Sequence, residues 1–525
     1  MATGLTYSVA LDGVTGRVVT IEADISVGVP GWSLTGLPDP CVAEARDRCR
    51  AAMINSSQKW PDKRMTVAMY PADVRKVGSH YDLAIALALL LAQGDLPSAG
   101  LRSAAVFGEL SLDGRLRSVP GVLPAVLAAF EAGLRRVIVP EPNVAEAQLV
   151  GAVEVIGVKS LRECLAVLKG EDPPAEPDCP PLQMDFTGTV VATKRSDSMD
   201  LADVKGQAHA RWCVEVAAAG GHHLFLEGPP GAGKTMLAER FPALLPDLDL
   251  GQSIEVSKIH SVAGLLTREE PLVTRPPFLA PNHTDTVPSV IGGGSRVIKP
   301  GAISLAHLGV LFLDEAPEFR PTVHDALRQP LESGEISIRR ADGAARFPAN
   351  FQLILAANPC PCGQGTTRDD SCRCDFMKKR RYQERISGPV RDRIDIYHTV
   401  APVSRAEMYQ DIAGHGSTAA VAQRVRSARM RQRARFAGMP WLTNADVPGV
   451  EFRRRCPLGR DVARPIEEGV ASGLLTQRGA DRVARMAWSV ADLASRSAPD
   501  VSCVEEALFL RSNGVLGQSF GARVA

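Results

Sequence analysis

Apolar and polar positions alternate along residues 7–11 and 17–25, and an apolar run follows at 137–139, so these segments are predicted as strands. Apolar residues return at helical spacing along 40–54, 81–93 and 124–132, which predicts helices interleaved with those strands. Residues 1–170 therefore read as a compact α+β domain. The stretch Glu171-Asp-Pro-Pro-Ala-Glu-Pro-Asp-Cys-Pro-Pro181 then crowds proline with acid. Proline lacks the backbone donor that helices and central strands need, so 171–199 is predicted as a linker. A second, α/β domain is predicted over 200–402, and the pattern from 403 to 525 is helical throughout. The longest apolar run, 83–92, is far shorter than the roughly 20 residues that span a bilayer, which makes it a buried core helix.

Composition removes the membrane and disulfide-scaffold classes. The chain has 525 residues, 45% of them hydrophobic and 23% charged, enough for several cores at roughly 100–200 residues per domain. Net charge is +1, so attraction for nucleic acid has to come from local basic clusters. Met1-Ala-Thr-Gly-Leu5 shows no cationic start followed by an apolar stretch, and a cytoplasmic protein with no membrane partner is expected. Of eleven cysteines, four crowd into 360–374, which in a reducing compartment points to metal rather than disulfides.

Candidate chemistry begins after the apolar residues Phe225 and Leu226. Gly228, Pro229, Pro230, Gly231, Ala232, Gly233, Lys234 and Thr235 spell G-x-x-x-x-G-K-T and open a helix. The glycines let backbone N–H groups turn toward phosphate oxygens, and the new helix adds its positive end. Lys234 is placed for the β- and γ-phosphates of ATP, and Thr235 for Mg²⁺. Val310-Leu-Phe-Leu313 ends in Asp314 and Glu315, a buried strand delivering carboxylates to a site. Asp314 would hold Mg²⁺ and Glu315 would activate the attacking water. The next apolar strand, 351–357, ends at Asn358, placed to orient that water or to sense the γ-phosphate. Arg393 is placed to reach a neighbouring subunit's γ-phosphate; a surface salt bridge with Asp392 or Asp395 is the plainer alternative. Arg478 opens a helix of the C-terminal segment and would close onto the nucleotide from that side, with Arg482 competing for the role.

From Lys234 to Asp314 the chain advances 314 − 234 = 80 residues, more than one helix and one strand need, so an insertion is predicted within 255–300. Glu335-Ile-Ser-Ile-Arg-Arg-Ala-Asp-Gly-Ala-Ala-Arg346 reads as a β-hairpin turned at Ala341-Asp-Gly343. Two clusters are strongly basic: Lys378-Lys-Arg-Arg381, and 424–435 with six arginines and no acid. Each would neutralise DNA phosphates or else form a solvated helix face. Cys360, Cys362, Cys372 and Cys374 have the spacing C-x-C-x₉-C-x-C. Four thiolates would close a tetrahedral Zn²⁺ site with no position left for water, a structural role; free thiols and an iron–sulfur cluster are the alternatives.

Further strings carry a family resemblance: Ile291-Gly-Gly-Gly294, Pro300-Gly-Ala-Ile-Ser-Leu-Ala-His307, Gly309-Val-Leu-Phe-Leu-Asp-Glu-Ala-Pro-Glu-Phe319, Ala326-Leu-Arg-Gln-Pro-Leu-Glu332, Phe347-Pro-Ala-Asn-Phe-Gln352 and Asn358-Pro-Cys-Pro-Cys-Gly363. The ordered set resembles the magnesium-chelatase-like AAA+ proteins of the ComM/YifB family over nearly the whole chain. One departure is Asn282-His283-Thr284, where that family usually reads His-His-Thr. The resemblance implies a central AAA+ P-loop NTPase domain, a C-terminal helical lid and a ring-forming homo-oligomer, a hexamer. Hairpins at 335–346 in that family face the ring's pore, which would bring Arg339, Arg340 and Arg346 to DNA phosphates; a solvated hairpin tip is the plainer alternative. ComM-type members act as helicases that drive branch migration during DNA uptake and recombination, so branched or single-stranded DNA is the implied partner. Close cousins are motor subunits of magnesium or cobalt chelatases, which drive metal insertion into tetrapyrroles; these should lack both a front domain and the cysteine loop.

The front domain has its own resemblance. Pro71-Ala-Asp-Val-Arg-Lys-Val-Gly-Ser79-His-Tyr-Asp82, with Gly108-Glu-Leu-Ser-Leu-Asp-Gly114, resembles the catalytic neighbourhood of Lon-type proteases and implies a Lon-like, ribosomal-S5-like α+β fold. Those proteases activate a serine with a lysine of lowered pKa. The lysine should fall near Val122 or Leu123, and no lysine occurs between Lys76 and Lys159. Ser79 therefore lacks its base, and a non-catalytic relative is expected rather than an ATP-dependent protease.

Overall fold

The computed structural model describes residues 3–179, 199–294, 298–340, 343–364, 372–403 and 416–512. Most of the predicted linker, the hairpin turn at 341–342, the middle of the cysteine loop, and 404–415 and 513–525 of the helical segment lie outside the described residues.

In the N-terminal part, β1 (Gly4–Asp12) and β2 (Thr15–Ser26) form an antiparallel hairpin. Asp12 leads into Gly13, which takes φ +61 in the connecting turn, a conformation glycine adopts without steric cost. With β3 (Gly31–Thr35), β4 (Arg64–Tyr70), β5 (Ala104–Val106), β6 (Arg136–Pro140) and β7 (Glu154–Val158) they form one sheet in the order β3-β4-β2-β1-β5-β6-β7. Alternation divides the side chains between two cores: Val106 and Ile138 face one, Ala105, Val137 and Val139 the other. Helix α1 (Asp82–Gln93) is apolar on all sides and buried from Asp82 to Leu91 under the first face; α2 (Val122–Glu131) covers the second. Residues 171–179 form no helix or strand, as proline dictates, but they do not hang free. Cys179 is buried in the N-terminal core, and Lys159 Nζ donates to Asp178 at 2.6 Å.

The second part is built on β8 (Leu224–Glu227), β9 (Phe278–Leu279), β10 (Val310–Leu313), the hairpin β11 (Glu335–Arg340) and β12 (Gly343–Pro348), β13 (Gln352–Ala357) and β14 (Ile396–Thr399). The main sheet runs β9-β10-β13-β8-β14, all parallel. Parallel strands are covered on both faces, which is why Val-Leu-Phe-Leu and Gln-Leu-Ile-Leu-Ala-Ala read as unbroken apolar runs. On one face Leu226, Phe312 and Ile354 share a core with α3 (Ala208–Gly220). On the other, Phe225, Leu313 and Leu355 pack with Ile336 and Phe347 of the hairpin. Helices α4 (Lys234–Arg240), α5 (Leu250–Ala263), α6 (Phe376–Glu384), α7 (Thr418–Arg435), α8 (Gln477–Leu493) and α9 (Val501–Ser512) complete the order needed here. Val425, Val483 and Val504, from α7, α8 and α9, belong to the same core as Leu226, so the C-terminal helices are packed onto the sheet.

An insertion is predicted within 255–300, and the first residues of that span are helical. Helix α5 runs through Glu255 to Ala263, and the chain from there to residue 291 is irregular apart from β9 and a short helix, Val287–Ile291. That helix also receives the N-terminal part: Gly121 N–H donates to Ser261 O at 2.9 Å, and the buried Glu146 carboxylate accepts from Leu123 N–H at 2.9 Å and from the Ser261 hydroxyl.

Candidate nucleotide site

Three neighbouring strands, β10, β13 and β8, release Asp314, Asn358 and Gly228 at their carboxyl ends, where open parallel sheets bind ligands. Lys234, the first residue of α4, is buried, and its Nζ donates to Gly228 O (2.7 Å), Pro229 O (3.0 Å) and Asn358 Oδ1 (3.2 Å). Burial lowers its pKa, while Asp314, Glu315 and Glu227 pull it back up. Gly231 and Gly233 have φ +77 and +95, left-handed conformations that turn the loop around an open centre. A Cβ at Gly228 would lie 2.4 Å from Val400 O, so the start of the loop is pressed against the strand edge. Thr235 Oγ1 donates to Asp314 Oδ2 at 2.8 Å, and Asp314 Oδ1 accepts from Glu315 N–H at 2.9 Å. A hydroxyl and a carboxylate side by side are the hard oxygen donors that Mg²⁺ takes.

Direct hydrogen bonds thus tie Lys234 to Asn358 and its chain neighbour Thr235 to Asp314, with Glu315 attached through Asp314. Glu315 stands half exposed at φ +51. His283 was not singled out from sequence as a site residue. Its Nδ1 lies 3.5 Å from Glu315 Oε2, and its ring meets Phe319 edge-on. The only hint was the family string around it, which gives no partner. Helix α6 supplies two more neighbours. Tyr382 stands near the Asn358 backbone and Gln383 near the Glu227 carboxyl; burial pushes the Glu227 pKa upward, and Arg391 and Gln383 offset part of it.

The arginines are held elsewhere. Arg393 is 14% exposed and donates to Pro389 O (2.8 Å) and Glu332 Oε2 (3.0 Å), so its acidic partner is Glu332 rather than Asp392 or Asp395. The two C-terminal candidates differ sharply. Arg482 donates to Asp395 Oδ1 at 2.5 Å and to Arg393 O at 3.0 Å, in a nearly buried pair. Burial alone would raise the Asp395 pKa; Arg482, His222 and His223 hold it well below the carboxylate range. Arg478 is 74% exposed, 3.5 Å from Asp392.

The basic cluster at 424–435 is largely spent inside the fold. Arg424 pairs with Glu215 (2.6 Å), Arg429 donates to Ala218 O and Gln352 Oε1, and Arg435 pairs with Asp492 (2.5 Å) while lying over Trp488. At 378–381, Arg380 pairs with Glu384 and Lys378 lies 3.8 Å from Asp375. The hairpin forms in the register Ser337↔Arg346 and Arg339↔Ala344, with Arg339 and Arg346 exposed opposite the buried Ile336, Ile338, Ala345 and Phe347. The Arg340 side chain lies outside the described residues.

Beside the phosphate loop the four cysteines come together. Sγ–Sγ separations are 3.2 Å (Cys360–Cys362), 3.7 Å (Cys360–Cys372) and 3.6 Å (Cys362–Cys372), and all four sulfurs lie within 4.8 Å of one another. Tetrahedral zinc, with bonds of roughly 2.3 Å, needs sulfurs about 3.8 Å apart, so the residues fit that ion.

Family models described as subunit ChlI of Mg-chelatase, magnesium chelatase subunit ChlI, and its C-terminal region match residues 21–143, 200–408 and 415–511. An uncharacterized protein of Mycobacterium tuberculosis is 48% identical over 98% of this chain and 99% of its own length. The competence protein ComM of Haemophilus influenzae is 39% identical over 94% of each chain, and the uncharacterized protein YifB of Escherichia coli 37% identical over 94% of each. The chain therefore belongs to the magnesium-chelatase-like AAA+ family that includes ComM and YifB.

Proposed function

We propose that this chain is an ATP-hydrolysing motor that remodels DNA, working as a hexameric ring that drives branch migration in recombination or DNA uptake. The observation that carries the ATPase reading is the hydrogen-bonded set Lys234, Asn358, Thr235 and Asp314 at three strand ends. The DNA reading leans on 39% identity, across 94% of the chain, to a protein named for competence. It also leans on the exposed Arg339 and Arg346 of the hairpin. The chelatase-motor alternative has the names of the matching family models in its favour. It gives no account of the competence relative.

In this reading the backbone N–H groups of 228–235 cradle the phosphates of ATP. Lys234 exchanges its carbonyl acceptors for β- and γ-phosphate oxygens. Thr235 and Asp314 hold Mg²⁺, which when bound neutralises phosphate charge. Glu315 takes a proton from water as the water oxygen bonds to the γ-phosphorus; the bond to the β-phosphate oxygen breaks, leaving ADP and phosphate. Asn358 orients that water. Arg393 leaves Glu332 to reach a neighbouring subunit's γ-phosphate, and Arg478 closes from the C-terminal helices, since Arg482 is committed to Asp395. Cys360, Cys362, Cys372 and Cys374 hold a structural Zn²⁺; sulfurs this close leave room for one ion rather than a multi-iron cluster. The N-terminal part is a non-catalytic Lon-like domain, and the protein works in the cytoplasm. Among the described residues no helix is long and apolar enough to cross a membrane.

The test is steady-state ATP hydrolysis with and without forked DNA. Stimulation by the fork supports the motor; a rate indifferent to DNA, with turnover raised only by partner chelatase subunits, supports the alternative.

A further inference from the structure

We infer that the cysteine cluster regulates the nucleotide site: metal bound there holds the wall of the phosphate loop in place, so that ATP affinity depends on metal occupancy. This rests on the proposed zinc ligation and adds a consequence to it. The chain leaves β13 at Asn358, whose Oδ1 accepts from Lys234 Nζ at 3.2 Å. Two residues on, Cys360 is fully buried. A turn follows, closed by Gly363 N–H donating to Cys360 O at 2.9 Å. At that turn the chain lies directly on the phosphate loop: a Cβ built on Gly363 would stand 2.7 Å from two ring carbons of Pro230.

After Cys372 and Cys374 the chain turns back. Asp375 caps α6 by accepting from Lys378 N–H at 2.7 Å. The helix then returns Tyr382 to the Asn358 backbone and Gln383 to Glu227, the residue before the phosphate loop. The outgoing limb therefore touches Lys234 and Pro230, and the returning limb touches Asn358 and Glu227. The four sulfurs are where the two limbs meet. A metal at that point joins them and removes the closure entropy of the loop between. Without it, only weak thiol–thiol contacts of 3.2–3.7 Å join the sulfurs, and the loop between the limbs regains its freedom. The phosphate loop then loses the wall at Pro230, and Lys234 loses a fixed Asn358.

The experiment uses the full chain, purified with its metal. Zinc content is measured by elemental analysis, and affinity by titration with a fluorescent ATP analogue. One zinc per chain is expected. Chelator stripping should weaken the analogue about tenfold or more, and added Zn²⁺ should restore it. Gly363→Ala is the second arm: it keeps all four thiols, so zinc should stay while affinity falls, because a methyl at φ +79 both strains the turn and meets Pro230 at 2.7 Å. Should stripping unfold the chain, this variant decides alone. Unchanged affinity in a folded, stripped protein, or in zinc-loaded Gly363→Ala, overturns the coupling and leaves the zinc reading standing. Protein isolated without metal, with affinity insensitive to added Zn²⁺, overturns both.

Discussion

The nucleotide site and the surroundings of Ser79 carry equally suggestive residue strings and end in different geometries. At the first, Lys234 bonds Asn358 and Thr235 bonds Asp314, so residues from three strand ends are tied to one another. At the second, each group is tied to the framework on its own. Ser79 donates to the Glu109 carboxylate. Lys76 is fully buried, with Nζ donating to Met69 O (3.0 Å) and to Pro71 O. His80 bonds Val9 O, and Asp82 pairs with Arg48 at 2.6 Å. Burial lowers the Lys76 pKa just as it lowers that of Lys234, so a perturbed lysine does not separate a working site from a packed one. What differs between the two regions is the convergence of their groups.

The largest effects should come from breaking one region and sparing the other. Lys234→Ala should abolish measurable ATP binding. Glu315→Gln should keep binding and slow hydrolysis about 10²–10⁴-fold, the usual range for a lost general base. Ser79→Ala should change neither. Nucleotide titration and phosphate release measure all three; equal ATP affinity in wild type and Lys234→Ala would undo the contrast.

Next come the two C-terminal arginines. Arg482→Ala leaves Asp395 buried without its cation and should cost about 3–5 kcal/mol of stability. Arg478→Ala, on the surface, should stay within about 0.5 kcal/mol while lowering kcat. Urea unfolding with turnover assays separates the two, and equal destabilisation would contradict the assignment. A subtler effect is expected between subunits. Mixing Arg393→Ala with Glu315→Gln chains should partly restore ATPase activity, since some interfaces then carry both groups intact. A monomer with full activity would rule the ring out.

The smallest effect concerns pH and spans both regions. Burial holds His80, His223 and His398 down at about 4, against 6.5 for the free side chain. Between those values the unfolded chain binds more protons than the folded one, so stability rises with pH there and is lost as pH falls from 6.5 toward 4. Thermal melts across that window should show a falling Tm; a flat profile would mean these histidines are solvated.

The strand ends of the nucleotide site were legible because parallel strands covered on both faces leave unbroken apolar runs, and because a loop around phosphate demands glycine at fixed places. Long-range pairing left no such trace. Nothing local in Ser387-Gly-Pro-Val-Arg-Asp-Arg393 points to Glu332, and the six arginines of 424–435 look the same whether they face water or, like Arg424 and Arg429, bond to Glu215 of α3 and Gln352 of β13. Proline correctly excluded regular structure at 171–179, but it could not reveal that Cys179 would be buried against the N-terminal core. The contact between His283 and Glu315 depends on an irregular stretch whose path no periodicity encodes.

The central claim, that ATP hydrolysis at Lys234, Asp314 and Glu315 moves DNA strands, is tested most directly on a Holliday-type junction followed by gel. Wild type with ATP should migrate the branch, and Glu315→Gln, still bound to nucleotide, should leave the junction intact. Wild type that hydrolyses ATP and never moves the branch, or Glu315→Gln that moves it as fast, would contradict the account.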